Sequence, residues 1–384
     1  MKRLVEALFG VVALTGLPYL WYLCLYYLRR PTGTPADTRP QTPPVSIVLP
    51  TYNEAAIVGS KLENLVALDY PMDRVEIVVV DSSDDGTAER VETFFAGRSE
   101  PELTLVRRDE REGLATALNE AYAVASNELV VKTDCDSRIA ADAVRTAAAN
   151  LADPDVAAVT GRNAEVIGDS DVERGYRNLQ TRIQMLESHL DSTLIFHGPF
   201  SAYEREAIVP IDEDSMADDT ELALKIRRNG DRVVFDPDIR YREAAHSAFG
   251  KRREQKDRRA VGLLRLLWRQ RDALGRHGTY GRVVLPFNWW FMVVSPWLVA
   301  GTLALATVGS LAVLGPAGLA VPAAVVGVTA LGSRDALGPI QPLYSLFDAQ
   351  ISLLRASVAL LRDRDDETHD GTWDPDRELR EVLQ

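Results

Sequence analysis

The sequence predicts an α/β protein with a mostly parallel sheet in its central domain and apolar helices near both ends. Two observations predict this class. From residue 45 onward, short runs rich in Val, Ile and Leu alternate with helical patterns, which is typical of parallel strands joined by crossover helices. Two long apolar stretches, 7–28 and 283–331, flank that region, and each exceeds the roughly 20 residues that a helix needs to cross a bilayer.

The composition narrows the functional class. The chain has 384 residues and a net charge of -13, with a pI of about 5.0. This acidic balance argues against a nucleic-acid partner, because a phosphate backbone attracts positive charge. The cysteines are Cys24, within an apolar run, and Cys135. Two cysteines in so long a chain give no disulfide framework, so a reducing compartment is expected for the central domain.

The N-terminal segment 1–30 is expected to be an uncleaved membrane anchor. Trp21 and neighbouring tyrosines lie toward its end, where an interfacial aromatic belt is found, and Arg29 and Arg30 follow. A cleaved signal peptide is the alternative, but the apolar run is too long and shows no small-residue cleavage site. The prolines and threonines of residues 31–44 predict an extended linker to the first strand.

Strand patterns and helical patterns then alternate in the central domain. The strands are expected at 45–49, 75–80, 103–106 and 129–132, with helices at 54–68, 87–95 and 113–126. Beyond them, helices are expected at 139–151, 173–190 and 217–226, and strands at 156–160 and 232–235. Together these elements predict one domain over residues 45–246.

Polar side chains follow three of these strands. Residues 51–54 follow the first strand, Asp81 ends the second, and Asp134 and Asp136 come after the fourth. Because the C-terminal ends of parallel strands share one edge of a sheet, these groups are expected to converge in a crevice. Two carboxylates one residue apart can share a hard divalent cation, Mg²⁺ or Mn²⁺, which also takes the phosphate oxygens of a substrate. Considered alone, residues 134–136 could equally be a polar turn.

The region 247–282 reverses the charge of this acidic chain. It is rich in Arg and Lys, which are interleaved with leucines and Trp268. That pattern favours a basic amphipathic helix on a membrane surface over a solvated helix.

The remaining C-terminal region is expected to return to the membrane. Residues 283–334 are predicted to form a transmembrane hairpin broken near Gly315, and the basic residues before it favour a cytoplasmic central domain. The chain would then be a multi-pass protein of the plasma membrane. Residues 335–384 are expected to contain an interfacial amphipathic helix at 343–361 and a charged tail.

Five stretches together resemble motifs of the family 2 glycosyltransferases of the GT-A fold, in the membrane-anchored branch related to cellulose, chitin and hyaluronan synthases. The stretches are 48–54, 79–87, 134–136, 218–219 and 255–259, with the sequences VLPTYNE, VVDSSDDGT, DCD, DD and QKDRR. Their order and spacing are similar to those of the family over residues 45–262. The resemblance implies a Rossmann-like GT-A domain that transfers a sugar with inversion.

The resemblance also implies which residues bind the donor. A nucleoside diphosphate sugar is expected, with UDP favoured over GDP, and the residues that hold its base and ribose would be Pro50, Thr51, Tyr52, Glu54 and Asp81. Mg²⁺ or Mn²⁺ on the diphosphate would be bound by Asp136, with Asp134 near the ribose or the metal.

On the acceptor side, the resemblance implies that Asp219 is the general base for the acceptor hydroxyl, with Asp218 beside it. Gln255 and Arg258 would lie over the diphosphate or the acceptor channel. The acceptor is expected to be lipid-linked or a glycan, because the domain would be held against the membrane.

Two positions depart from the family pattern. The family's Gly-Lys before the third helix is Gly113-Leu114 here, which removes a phosphate-facing lysine that Arg111 could replace. The Trp of the Gln-x-x-Arg-Trp motif, which is associated with chain-extending synthases, is Arg259. Transfer of one or a few sugars to a lipid carrier is therefore favoured over processive polysaccharide synthesis.

The chain and some single residues have alternative interpretations. An inactive membrane scaffold that keeps the nucleotide-sugar fold is one alternative, and an oxidoreductase is excluded because no Gly-x-Gly-x-x-Gly follows the first strand. Asp81 could cap the helix after it, and either Asp218 or Asp219 could be an N-cap. His197 is expected to be a structural loop residue, and Cys135 is expected to fill space in the core.

Overall fold

The structure is a computed structural model that describes residues 2–167, 171–244, 249–334 and 336–362. The charged tail expected at 363–384 lies outside the described residues. Eight strands form one sheet: β1 Val45–Thr51, β2 Val75–Asp81, β3 Glu102–Arg107, β4 Leu129–Lys132, β5 Ser137–Ile139, β6 Val156–Ile167, β7 Ser201–Glu204 and β8 Arg232–Ala244. Their order across the sheet is β3-β2-β1-β4-β7-β6-β8-β5. The α/β class with a Rossmann-like sheet is confirmed.

Helices cover both faces of this sheet. The helices of the described residues are α1 Lys2–Arg29, α2 Val58–Val66, α3 Thr87–Phe95, α4 Leu114–Val124, α5 Ala143–Asn150, α6 Asp171–Leu190, α7 Asp218–Asn229, α8 Phe249–Arg269, α9 Leu285–Trp289, α10 Ser295–Leu314, α11 Ala320–Gly332 and α12 Gln341–Arg362. Apolar residues of α2, α3 and α5 pack on one face of the sheet, and those of α4 and α7 pack on the other. The result is the layered arrangement expected for alternating strands and helices.

Strands β1 to β4 form the parallel half of the sheet that the alternation predicted. Ile47 and Leu49 belong to the core on one face, while Val48 between them belongs to the core on the other. Burial on both faces explains why these strands are continuous apolar runs. Thr51 on β1 pairs with Asp81 on β2, and Val48 pairs with Lys132 on β4, so the C-terminal strand ends lie at one edge.

The other half of the sheet is more antiparallel than predicted. Strand β7 runs antiparallel to both β4 and β6, and the short strand β5 runs antiparallel to β8. Neither β5 nor β7 was predicted, and the helix expected from residue 139 begins only at Ala143. These strands have three and four residues, too few to show the periodicity by which strands are recognised.

Two helical stretches, Val5–Arg29 and Tyr280–Gly332, are long and apolar enough to cross a membrane. Within the second stretch the helix ends at Leu314, and Gly315 takes a positive φ of 58° ahead of Pro316. The Ser310 hydroxyl donates a hydrogen bond of 2.9 Å to the Gly318 carbonyl across this turn. The break expected near Gly315 is therefore present.

The basic region does not form one helix over 247–282. Helix α8 ends at Arg269, and a 3₁₀ turn and a π-helical turn follow. Helix α12 packs along α8 with polar residues turned inward, since the buried Asp348 carboxylate accepts a hydrogen bond from Arg253. The side chains of Leu343 and Leu361 point outward and are 69% and 57% exposed. This inverted distribution suits a helix whose outer face meets lipid, and the interfacial location stays a prediction.

The Glu187 carboxylate on α6 joins the apolar helices to the central domain. It accepts hydrogen bonds from Asn288 Nδ2 at 2.6 Å and Tyr22 Oη at 3.4 Å, and from Thr193 Oγ1 at 2.9 Å and the Leu194 amide at 3.2 Å. Tyr22 belongs to α1 and Asn288 to α9, so one buried carboxylate links three separate parts of the chain. Burial raises the pKa of Glu187 to about 7, although these hydrogen bonds oppose the shift.

We expect Glu187→Gln to flatten the pH dependence of stability. An unfolded Glu titrates near pH ~4.3, so the folded chain binds the extra proton between that pH and about 7. The associated stability is complete below pH ~4 and is lost as the pH rises through about 7, by up to about 3 kcal/mol. Thermal unfolding in detergent from pH 5 to 8 should therefore show a steeper loss in the unmodified chain than in Glu187→Gln. Equal slopes would contradict the role of this carboxyl.

Candidate active site

The Lys132 ammonium group lies at the centre of the acidic residues at the sheet edge. Lys132 is the last residue of β4, and its side chain is 1% exposed. The distances from Lys132 Nζ are 2.8 Å to Asp134 Oδ1, 3.2 Å to Asp219 Oδ2 and 3.9 Å to Asp218 Oδ2. Three carboxylates predicted for the site, from two distant parts of the sequence, are thus brought together around one buried cation.

The turn before β7 covers this cluster. His197 and Phe200 form an isolated bridge, and the Phe200 carbonyl accepts a hydrogen bond of 2.8 Å from Thr160 Oγ1 on β6. The turn places Gly198 against the carboxylates. A Cβ atom at this position would lie 2.8 Å from Asp134 Oδ2, 2.9 Å from Asp219 Oδ2 and 2.9 Å from Lys132 Nζ. Only a glycine leaves the ends of these three side chains where they are.

The carboxylates of Asp218 and Asp219 belong to the first turn of α7. The N-cap position is Ala217, which makes no side-chain capping bond, so the interpretation of either aspartate as the N-cap is wrong. Both are more than nine-tenths buried, and the positive end of the helix dipole favours their negative charge. A hydrogen bond of 3.2 Å from the Phe196 amide to Thr220 Oγ1 fixes the start of α7. Because Phe196 is two residues before Gly198, this bond also joins α7 to the turn that contains Gly198.

Burial and crowding shift the pKa values of these groups. Burial, followed by repulsion from Asp218, raises the pKa of Asp219 to about 8, and Lys132 opposes the shift. Burial lowers the pKa of Lys132, but attraction by Asp134, Asp219 and Asp218 outweighs it and raises that pKa well above its usual value. A carboxylate with a pKa near neutrality suits a general base that works at physiological pH.

Asp136 lies in the turn after β4, two residues beyond Asp134. Burial, together with repulsion from Asp134 and Glu243, raises the pKa of Asp136 to about 7. A divalent cation would relieve this repulsion, and carboxylate oxygens are the ligands that Mg²⁺ and Mn²⁺ prefer. In the described residues no group of three or more His, Cys, Asp and Glu side chains forms a metal cluster. The crowding of Asp136 by Asp134 fits a cation that takes one or two carboxylates, with substrate phosphates completing its shell.

A second buried lysine, Lys61, is hydrogen-bonded to the turn after β4. Lys61 Nζ donates hydrogen bonds to Thr133 Oγ1 at 2.8 Å, to the Ser137 carbonyl at 3.0 Å and to Ser137 Oγ at 3.1 Å. Thr133 Oγ1 also donates to the Pro199 carbonyl at 2.8 Å, which ties the turn to the one that contains Gly198. Cys135 faces the hydrophobic core, as expected.

The strand ends of β1 and β2 form the other side of the crevice. The Asp81 carboxylate accepts hydrogen bonds of 2.6 Å from Thr51 Oγ1 and 2.6 Å from Ser83 Oγ. Helix α3 begins after Gly86, so the interpretation of Asp81 as its cap is wrong. The ring of Tyr52 lies 3.8 Å from the Arg111 guanidinium, which packs on this loop.

The loop between β1 and α2 is held by further bonds to the next turn. The Glu54 amide donates to Thr87 Oγ1 at 2.9 Å, and the Asn53 amide donates to Ser83 Oγ at 2.7 Å. Asn53 has a positive φ of 54°, a conformation that asparagine tolerates better than most residues. These bonds fix residues 50–54, including Pro50 at the end of β1, next to the turn after β2.

Helix α8 contributes basic groups on the remaining side. The Arg259 guanidinium lies 2.7 Å from Glu243 Oε1, and its charge acts on Asp136. Burial and repulsion by Arg259 lower the pKa of Arg258, while attraction by Asp218 opposes that shift. Arg258 is thus close enough for an electrostatic interaction with the carboxylate cluster. Gln255 lies three residues before Arg258 on α8 and is half-buried.

His197 lies in the turn before β7, and its expected structural role stays a prediction. Its Nε2 lies 3.1 Å from Gln184 Oε1, and burial, with repulsion from Arg259, lowers its pKa to about 4. It is therefore neutral at physiological pH.

Lys132 and Gly198 were not predicted as site residues. The signal for Lys132 was a charged residue at the end of the apolar run 129–132, because a buried lysine requires a partner. The signal for Gly198 was weak, since a glycine before a proline indicates only a turn.

We expect Gly198→Ala to lower turnover by roughly 10-fold to 10²-fold, because displacements near 1 Å in a catalytic cluster have effects of that size. The added methyl group must push aside Lys132, Asp134 or Asp219, at a cost in stability of about 1–3 kcal/mol. Nucleotide release and thermal unfolding should be measured together. Gly59→Ala, where a Cβ meets nothing within 4 Å, is the matched control. Wild-type turnover in Gly198→Ala would show that the crowding has no consequence.

Comparisons with known proteins agree with this architecture. Residues 46–212 match the model of a family described as Glycosyl transferase family 2. The poly-beta-1,6-N-acetyl-D-glucosamine synthase of Staphylococcus aureus is 27% identical over 202 residues, which cover 50% of this chain and 48% of that protein. An N-acetylglucosaminyltransferase of Rhizobium meliloti is 27% identical over 222 residues, covering 53% of this chain and 51% of its own length. The chain thus spans about half the length of these curated relatives.

A solved structure covers more of the chain. The mannosyltransferase PcManGT from Pyrobaculum calidifontis, in complex with GDP-Man and Mn²⁺, is 29% identical and aligns over 94% of this chain and 100% of its own, with a TM-score of 0.78.

The sheet, its acidic edge and this structural likeness define a GT-A fold of the kind found in glycosyltransferases. More specifically, residues 46–212 match the model of Glycosyl transferase family 2, which is the family that the motifs resemble. The role of each site residue stays a prediction.

Proposed function

We propose that this chain is a membrane-bound, metal-dependent inverting glycosyltransferase that moves a sugar from a nucleoside diphosphate to a lipid-linked or glycan acceptor. The observation that carries the proposal is the convergence of Asp134 and Asp219 on Lys132 Nζ, at 2.8 and 3.2 Å, at the C-terminal edge of the sheet. A donor-side carboxylate and a candidate base are thereby within a few ångströms of each other.

On the donor side, residues 50–54 and Asp81 would hold the base and ribose, and Asp136 with Asp134 would hold Mg²⁺ or Mn²⁺. When bound, that cation would neutralise charge on the departing diphosphate as a Lewis acid. Both UDP and GDP remain candidates. The resemblance favours UDP, whereas the solved neighbour was obtained with GDP-Man.

On the acceptor side, Asp219 would take the proton of the attacking hydroxyl. The acceptor oxygen forms a bond to the anomeric carbon as the bond from that carbon to the diphosphate oxygen breaks, and the nucleoside diphosphate leaves. Attack from the face opposite the leaving group inverts the anomeric configuration. Arg258, near Asp218, would stabilise negative charge on the diphosphate or the acceptor.

The membrane part of the proposal rests on the two apolar stretches, Val5–Arg29 and Tyr280–Gly332. With the basic residues of 247–282 on the cytoplasmic side, the domain would face the cytosolic pool of nucleotide sugars. The exposed Leu343 and Leu361 on α12 would meet the bilayer surface. An acceptor with a lipid tail could then reach the crevice without leaving the membrane.

The test is release of nucleoside diphosphate from a panel of UDP- and GDP-sugars, by purified protein in detergent with Mn²⁺ or Mg²⁺ and a lipid extract. Metal-dependent release with one donor, together with a labelled product in the lipid phase, is expected. No release with any donor from folded protein would favour the inactive scaffold. A labelled polymer in place of a short product would favour the processive synthase, in keeping with the name of the Staphylococcus aureus relative.

A further inference from the structure

We infer that Lys132 is a positioning residue for sugar transfer, which holds the carboxylate of Asp219 in its reactive orientation and fixes its distance from the donor-side Asp134. The inference rests on the proposed function and adds to it a residue that neither the motifs nor the comparisons assign. Strand β4 then contributes to the site both the Lys132 ammonium group at its end and the aspartates that follow it.

The first argument is the hydrogen bonding of Asp219. Among the described residues, Lys132 Nζ supplies the hydrogen bond to this carboxylate, at 3.2 Å from Oδ2. The other oxygen, Oδ1, is buried and has no hydrogen-bond partner in the described part of the chain. With one oxygen held and the other unbonded, the orientation of the carboxylate depends on Lys132. A base misplaced by about 1 Å loses much of its effect on the rate.

The second argument is the pattern of partners. Lys132 contacts three carboxylates, of which Asp134 comes from the turn after β4 while Asp218 and Asp219 come from α7. A single ion pair would have been enough to satisfy a buried lysine. Because Lys132 instead bridges the donor-side turn and the acceptor-side helix, it determines the separation of the two halves of the reaction centre.

The third argument is the contrast with Lys61, the other buried lysine beside this turn. In the described part of the chain, Lys61 Nζ donates to neutral oxygens of Thr133 and Ser137. Burial lowers the pKa of Lys61 to about 7. Lys61 thus stabilises the turn as a hydrogen-bond donor. Lys132, in contrast, pairs with the charged carboxylates of Asp134 and Asp219, which are the groups proposed to take part in the reaction.

The test compares Lys132→Met and Lys132→Gln with the unmodified protein, using the donor identified in the panel. Two substitutions are made so that at least one folded variant is obtained, since the glutamine retains an amide donor. We expect turnover to fall by roughly 10²-fold in each, with the donor KM within a few-fold of the original. A loss through general unfolding would instead lower the amount of active protein and the melting temperature together.

A double-mutant cycle with Asp219→Asn separates positioning from an independent effect. If Lys132 acts through Asp219, the double variant should be no slower than Asp219→Asn alone, because interacting groups are not additive. Lys225→Met is the matched control, since Lys225 also bridges two carboxylates, Asp212 and Glu221, near and on α7. It should retain full turnover.

The outcomes distinguish the two proposals. Turnover within threefold of the original in a folded Lys132 variant, or losses that multiply in the double variant, would overturn the positioning role while leaving glycosyl transfer intact. Failure of the unmodified protein to release nucleotide from any donor would overturn the proposed function itself, and the positioning role with it.

Discussion

Asp219→Asn is expected to lower the rate of sugar transfer by roughly 10²–10⁴-fold, the usual contribution of a positioned general base. The asparagine side chain has nearly the same shape and can still accept the hydrogen bond from Lys132. It cannot take the proton of an acceptor hydroxyl. Donor binding should change little, because the predicted nucleotide contacts come from β1, β2 and the turn after β4.

Two measurements check this expectation, namely single-turnover transfer to acceptor and equilibrium binding of the nucleoside diphosphate. Asp212→Asn is the control, since Asp212 lies just before α7 and pairs with Lys225 away from the cluster. A slow variant with normal nucleotide affinity would support the assignment. If Asp219→Asn transferred sugar at the original rate, the base would have to be sought elsewhere, with Asp218 the first candidate because it too lies close to Lys132.

The parallel half of the fold could be predicted because the burial of each strand is visible in the sequence of that strand alone. Strands β1, β2 and β4 are buried on both faces, so their sequences are apolar runs that end in polar residues. The antiparallel strands β5 and β7 could not be predicted in this way. The sequence of β7, Ser-Ala-Tyr-Glu, shows no periodicity, and its four residues form a strand only because β4 and β6 lie on either side.

The site was predictable to a similar extent. The aspartates after β4 and at the start of α7 were recognised from motifs, and the structure brings Asp134, Asp218 and Asp219 around one ammonium group. Lys132 was overlooked because an apolar strand that ends in lysine is ambiguous until its partners are known. Two of those partners, Asp218 and Asp219, are more than 80 positions away in the sequence, and the antiparallel pairing of β7 with β4 brings Gly198 close to them.

Asp136→Ala is expected to remove most of the metal dependence of nucleotide release. If the cation contributes about 3 kcal/mol through this ligand, the rate at a fixed concentration of Mn²⁺ should fall by roughly 10²-fold. The concentration of Mn²⁺ that gives half-maximal rate should rise. Both should be measured by titrating Mn²⁺ at a saturating concentration of donor, since a weaker cation site and a weaker donor site would otherwise look alike.

Cys135→Ala is the matched control for that experiment, because Cys135 lies between the two aspartates and faces the core. It should lose some stability through the small cavity it leaves, while its dependence on Mn²⁺ is unchanged. The comparison is informative because both substitutions alter the same turn. If the two variants lost metal dependence equally, the shape of the turn would be the important property, held by Lys61 and Thr133 below it. If only Asp136→Ala lost it, the carboxylate itself would be the ligand, and Asp134 would be left to link the donor to Lys132.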